Sequence, residues 1–186
     1  PVLTTQSLTM LFASRGVGKT HVALGIAYAV ASGGTFLKWR SPTPKQVLYL
    51  DGEMPAGTMQ SRLAEIVEQS ESEPPSPDFL RLITPDLQDG PMPDISTIEG
   101  QSFLEPHLEG VELVMVDNLS TLVRSGKENE SEGWLPVQGW ALDLRRRGIS
   151  VVFVHHAAKS GVQRGTSKRE DVLDTIVRLE HPHDYK

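Results

Sequence analysis

An apolar run, Leu8–Ala13, passes through Ser14-Arg15-Gly16-Val17-Gly18 into a stretch from Lys19 to Ala31 that is rich in Ala, Leu, Ile and Val. No other feature constrains the chain as much. A buried strand feeding a glycine-bearing turn and then an apolar helix, stopped by the Gly33-Gly34 pair, opens a strand–helix–strand architecture. Three further β-branched runs, Val47–Asp51, Val111–Asp117 and Ser150–His155, have the length and composition of buried strands; Phe79–Thr84 and Val172–Leu179 are weaker ones. Pro55 opens a second helix reaching about Ser70, with Met59, Leu63, Ile66 and Val67 on one face. Trp134 to Arg147 forms a third, ended by Gly148. This alternation predicts an α/β fold with a mostly parallel central sheet flanked by helices on both faces.

The 186 residues suffice for one core. Pro- and Gly-rich connectors at 33–45, 71–78 and 85–96 interrupt the pattern without changing its class, so residues 1–186 read as a single domain. The polar stretch 124–133 predicts a loop. A start at Pro1 and a polar end at 180–186 read as an excised piece of a longer protein. Absence of Cys excludes disulfide frameworks, Cys-ligated zinc and thiol catalysis, and fits a reducing, cytoplasmic setting. Apolar runs such as Leu113–Val116 are too short to cross a bilayer, so no membrane partner is expected. A net charge of −6 argues against constitutive tight nucleic-acid binding. The charge is uneven, however: Leu144 to Arg169 carries Arg145, Arg146, Arg147, Lys159, Arg164, Lys168 and Arg169 with no acid. That segment is either a solvated helix end and loop or a phosphate-facing surface.

Residues 13–20, ASRGVGKT, match the phosphate-loop pattern everywhere except the first position, where Ala13 replaces the usual glycine and is expected to end the strand. Gly16 and Gly18 let successive N–H groups turn inward toward an anion, and the helix starting near Lys19 adds its positive end. Ser14, Arg15, Gly16, Val17, Gly18, Lys19 and Thr20 are thus the candidate nucleotide-binding residues. Lys19 would reach the β- and γ-phosphates, and the Thr20 hydroxyl would ligate Mg²⁺. Asp117, delivered by the run Leu113-Val114-Met115-Val116, is the second candidate Mg²⁺ residue, since ligands of parallel sheets bind at the carboxyl ends of strands.

Asn118 rather than Glu follows Asp117, so a water-activating base must come from elsewhere. Glu53, just past the run Val47–Asp51, is the candidate; Asp51 competes but belongs to the strand itself. His155 and His156 close the fourth run, and either is placed to donate to a γ-phosphate. Neighbours on a strand point to opposite faces, so the pair does not easily share one metal ion.

The segments ASRGVGKT (13–20), VLYLDGEM (47–54), LVMVDNLSTL (113–122), VVFVHHAAKSG (151–161) and QRGTSKREDVLD (163–174), in this order, resemble the RecA-like P-loop ATPases of the RepA type, hexameric replicative helicases of plasmids and related mobile elements. The resemblance implies a RecA-like P-loop NTPase core with ATP and Mg²⁺ as its ligands. It implies a catalytic Glu at Glu53, a γ-phosphate sensor at His155 or His156, and an arginine finger at Arg164 that serves the neighbouring subunit of a homo-oligomeric ring. The function expected from it is an ATP-hydrolysing motor domain in plasmid or phage replication, with Lys127, Lys159 and Lys168 on loops that would grip single-stranded DNA. Three other readings use the same motifs: a RecA-like regulatory or recombinase-type switch without unwinding, a P-loop kinase with Arg145–Arg147 as its lid, and a non-catalytic nucleotide-binding module.

Overall fold

The first strand, β1 (Leu8–Ala13), is buried at every residue. It leads through the glycine loop into α1 (Lys19–Ser32), which Gly33 ends in a left-handed conformation with its N–H on Ala29 O. A two-residue pair, β2 (Thr35–Phe36) and β3 (Trp39–Arg40), forms a separate antiparallel hairpin. There follow β4 (Val47–Asp51), α2 (Ala56–Glu68), β5 (Leu80–Ile83), α3 (Ile98–Leu104), β6 (Leu113–Asp117) and α4 (Leu119–Leu122). The chain continues with α5 (Ser131–Arg146), β7 (Ser150–His156) and β8 (Thr175–Arg178). This computed structural model describes residues 3–124, 131–157 and 171–182, with the backbone alone at 131 and 132.

The six longer strands form one parallel sheet in the order β5-β4-β6-β7-β1-β8. Consecutive strands are therefore not always neighbours: β7 is inserted between β1 and β6. Side chains alternate between two cores. Leu8, Met10, Leu48, Leu50, Val114, Val116, Val151 and Phe153 pack with Leu104 of α3, Leu119 and Leu122 of α4, and Trp134, Val137, Trp140 and Leu144 of α5. Leu11, Val47, Tyr49, Leu113, Met115, Val152 and Val154 pack with Ala23, Leu24, Ala27 and Tyr28 of α1 and with Met59 and Ile66 of α2. Both faces are covered, as a parallel sheet requires.

Helix α1 is apolar nearly all round because it is covered twice, by the sheet beneath and by the hairpin above. A Cβ on Gly25 would stand 2.1 Å from the Phe36 ring, so only glycine allows this approach. The hairpin lies inside what the sequence reads as a plain connector, and α3 follows the connector at 85–96 unannounced. Helix α3 is short and depends on a local cap: the Thr97 hydroxyl accepts from Gly100 N at 3.0 Å. Strand β6 starts at Leu113 rather than Val111, whose N–H closes a turn on Leu108 O. Among the described residues, no helix is long and apolar enough to cross a membrane.

Candidate active site

Ala13 is the last residue of β1, and the loop behind it turns at Gly16 (φ 82°) and Gly18 (φ 90°). A Cβ at either glycine would meet nothing within 4 Å. The requirement is therefore conformational: an L-residue held there would cost roughly 1–2 kcal/mol. Helix α1 begins directly after Gly18, with no side-chain cap and no acid in its first turn, which leaves its positive end to the loop. Ser14, Arg15, Gly16 and Gly18 are exposed, Val17 and Thr20 are half-buried, and Lys19 is buried. The Lys19 ammonium donates to Ala13 O at 3.0 Å and Ser14 O at 2.9 Å. Burial, aided by Arg15, lowers its pKa, while Asp117 and Glu53 act to hold the proton on.

Two strands away, Asp117 is buried and accepts from the Tyr49 hydroxyl at 2.7 Å and from the Thr20 hydroxyl. Burial raises its pKa, and the Tyr49 and Thr20 hydrogen bonds oppose that rise. A hydroxyl and a carboxylate held side by side next to a phosphate-type loop form a hard oxygen donor set, which fits Mg²⁺. Asp51 stands beside Asp117 in register on β4, and burial pushes its pKa up to about 6. Glu53 is exposed at the end of the same strand, near enough for its charge to act on both Lys19 and Asp117.

Asn118, joined to Asp117 by a cis peptide, caps α4: its Oδ1 accepts from Ser120 N at 3.0 Å. That bond orients the amide, so its Nδ2 faces His156 Nε2 at 3.3 Å. The Asn118 amide is the donor of this pair. His156 pairs with Ala13 across β7 and β1. By strand alternation it shares the face of Val152, Val154 and Leu11, the face of α1 and the loop. His155 is fully buried on the face of Val151 and Phe153.

A family model described as "AAA domain" (AAA_25) matches residues 1–162. The chain belongs to this AAA family. Among solved structures, a KaiC-like protein from the hyperthermophilic archaeon Pyrococcus horikoshii OT3 superposes on 98% of the chain and 76% of its own length. The TM-score is 0.63 at 11% sequence identity, a likeness of fold. The protein is an AAA-type ATPase domain on a RecA-like fold, and membership of the family implies nucleotide binding.

In this AAA domain the structure gathers Lys19, Thr20, Asp117 and Glu53 at the carboxyl ends of β1, β6 and β4, with His156 beside them. It turns His155 to the other face. Arg164, Lys127, Lys159 and Lys168 lie outside the described residues. Two participants are absent from the sequence reading. Tyr49 holds one oxygen of Asp117, and it was findable, since it sits two residues before Asp51 and so on the same face. Thr84 bonds Asp51 from the neighbouring strand's end, which no local pattern reveals.

Proposed function

We propose that this AAA domain is the ATP-hydrolysing motor of a RepA-type replicative DNA helicase that works as a homo-oligomeric ring. The observation that carries the hydrolytic part is the convergence of Lys19, Asp117 and Glu53, whose charges act on one another at the mouth of the glycine loop. Residues 14–20 wrap the phosphates of ATP, and the Lys19 ammonium moves from the loop carbonyls to the β- and γ-oxygens. Thr20 and Asp117 would hold Mg²⁺, which when bound would neutralise phosphate charge. Glu53 orients a water in line with the γ-phosphorus and takes its proton as the oxygen–phosphorus bond forms. The bond from that phosphorus to the β,γ-bridging oxygen breaks, and ADP leaves. General-base catalysis of this kind contributes about 10²–10⁴-fold.

His156 is the γ-phosphate sensor in this reading, supported by its place on the loop's face and its bond to Asn118, which starts α4 right after Asp117. Arg164 serves the neighbouring subunit's nucleotide, a role that rests on the motif resemblance, and Lys127, Lys159 and Lys168 contact single-stranded DNA, a role that rests on their charge. Glu53→Gln tests the central assignment. Turnover should fall at least about 100-fold while ATP affinity stays within a few-fold. Normal hydrolysis by that variant removes Glu53 as the base. A strand-displacement assay on the full-length protein separates the helicase from a switch that hydrolyses ATP without unwinding.

A further inference from the structure

The segment between β4 and α2 is held through its backbone and its buried neighbours, while the Glu53 side chain stands outward. Gly52 N donates to Asp117 O at 2.7 Å, and a Cβ at Gly52 would lie 2.0 Å from the Thr121 hydroxyl. Met54 is buried, and Ala56 N donates to Asp86 Oδ2 at 2.9 Å. Only Glu53 projects outward among residues 51–54. Its backbone is held from below by Asp51, which is 1% exposed. Asp51 Oδ1 accepts from Glu53 N at 3.4 Å and Met54 N at 3.3 Å. Asp51 Oδ2 accepts from Met54 N at 3.0 Å and from the Thr84 hydroxyl at 3.1 Å. Thr84, itself buried, follows β5, the strand paired with β4 on the side away from β6.

We propose that Asp51 is a positioning residue for Glu53: its carboxylate, steadied across the sheet by Thr84, anchors the backbone that carries the base and sets where that base stands relative to Lys19 and Asp117. The inference rests on the reading of Glu53 as the base. Asp51 is unsuited to being the base itself, because both its oxygens are turned onto the loop and Thr84 and it is 1% exposed. A carboxylate accepts at several lone-pair sites, which is what two N–H groups and a hydroxyl arriving together require. Asn in its place offers one acceptor oxygen and an NH₂ that repels the remaining donors. Catalytic groups displaced by about 1 Å lose on the order of 100-fold in rate, so a loosened loop is felt in turnover before it is felt in binding.

The test compares Asp51→Asn, Thr84→Val and Glu53→Gln, singly and in pairs, in the full chain. We expect Asp51→Asn to lower kcat by about 10- to 100-fold with ATP affinity within about threefold. Thr84→Val, which keeps the volume and loses the hydroxyl, should lower kcat less, and Thr84→Ser should restore it. In the Glu53→Gln background, Asp51→Asn should add nothing to the loss, because its effect passes through Glu53. An unchanged kcat in Asp51→Asn beside an impaired Glu53→Gln overturns the inference alone, as does a loss that multiplies with that of Glu53→Gln. A fully active Glu53→Gln overturns the base assignment and the inference with it. If Asp51→Asn does not fold, the Thr84 pair carries the same comparison, and an unchanged kcat in Thr84→Val then overturns the inference.

Discussion

Two adjacent rows of side chains cross the sheet near its carboxyl edge, and they have opposite characters. Leu50, Val116 and Phe153 stand side by side on β4, β6 and β7, all fully buried against α4 and α5. One residue further along, Asp51, Asp117 and Val154 form the next row and face α1 and α2. A single step along a strand thus passes from an apolar core to two buried carboxylates. The contrast teaches how the site bears its electrostatic cost. Two like charges out of water on neighbouring strands are unfavourable, and hydrogen bonds from Tyr49 and Thr20 to Asp117, and from Thr84 and the 53–54 backbone to Asp51, offset part of that cost.

The largest expected effect is on the apolar row. Phe153→Ala removes a ring that meets Trp134 edge-on at 5.3 Å and should destabilise the fold by about 3–5 kcal/mol, read by denaturant unfolding. The comparison breaks if the variant is as stable as the parent. The next effect is on the carboxylate row and has a sign. Asp51 has a folded pKa of about 6 against an ordinary 3.8, so the folded chain binds this proton more tightly than the unfolded one. Its contribution to stability is present below about pH 4 and is lost as the pH rises to about 6, by at most roughly 3 kcal/mol. Melting temperatures across that window should fall less steeply with rising pH in Asp51→Asn, and an identical slope would remove the buried-charge account.

The smallest effect sharpens the comparison at two neighbouring residues. His156→Ala should lower ATP turnover by about tenfold with little change in melting temperature, whereas His155→Ala should lower melting temperature through its buried place near Phe153. The reverse pattern would move the sensor to His155.

The four strong strands and the three long helices were legible because each is written into a short stretch of chain, as an unbroken apolar run in the buried strands and α1 and as an apolar face in α2 and α5, with Leu8–Ala13 and Val47–Asp51 read to the residue. The β2–β3 hairpin was not. Its strands are two residues long, and its turn begins with Leu37 at φ 54°, a position where a glycine would have announced it. Helix α3 is seven residues long and rests on Gly100 lying against Asp94, where an added Cβ would be 2.0 Å from the Asp94 carbonyl oxygen.

The sequence alone determined the glycine loop, the helix behind it and the carboxylate at the end of an apolar strand, because these follow from backbone freedom, helix polarity and a period of two, all local quantities. Only the tertiary structure decided that β7 lies between β1 and β6, that His156 and not His155 shares the loop's face, and that Thr84 and Tyr49 reach Asp51 and Asp117. The reason is physical. Strand order and register are set by which distant strands pair, and hydrogen bonds across a parallel sheet join residues tens of positions apart that no window of sequence contains.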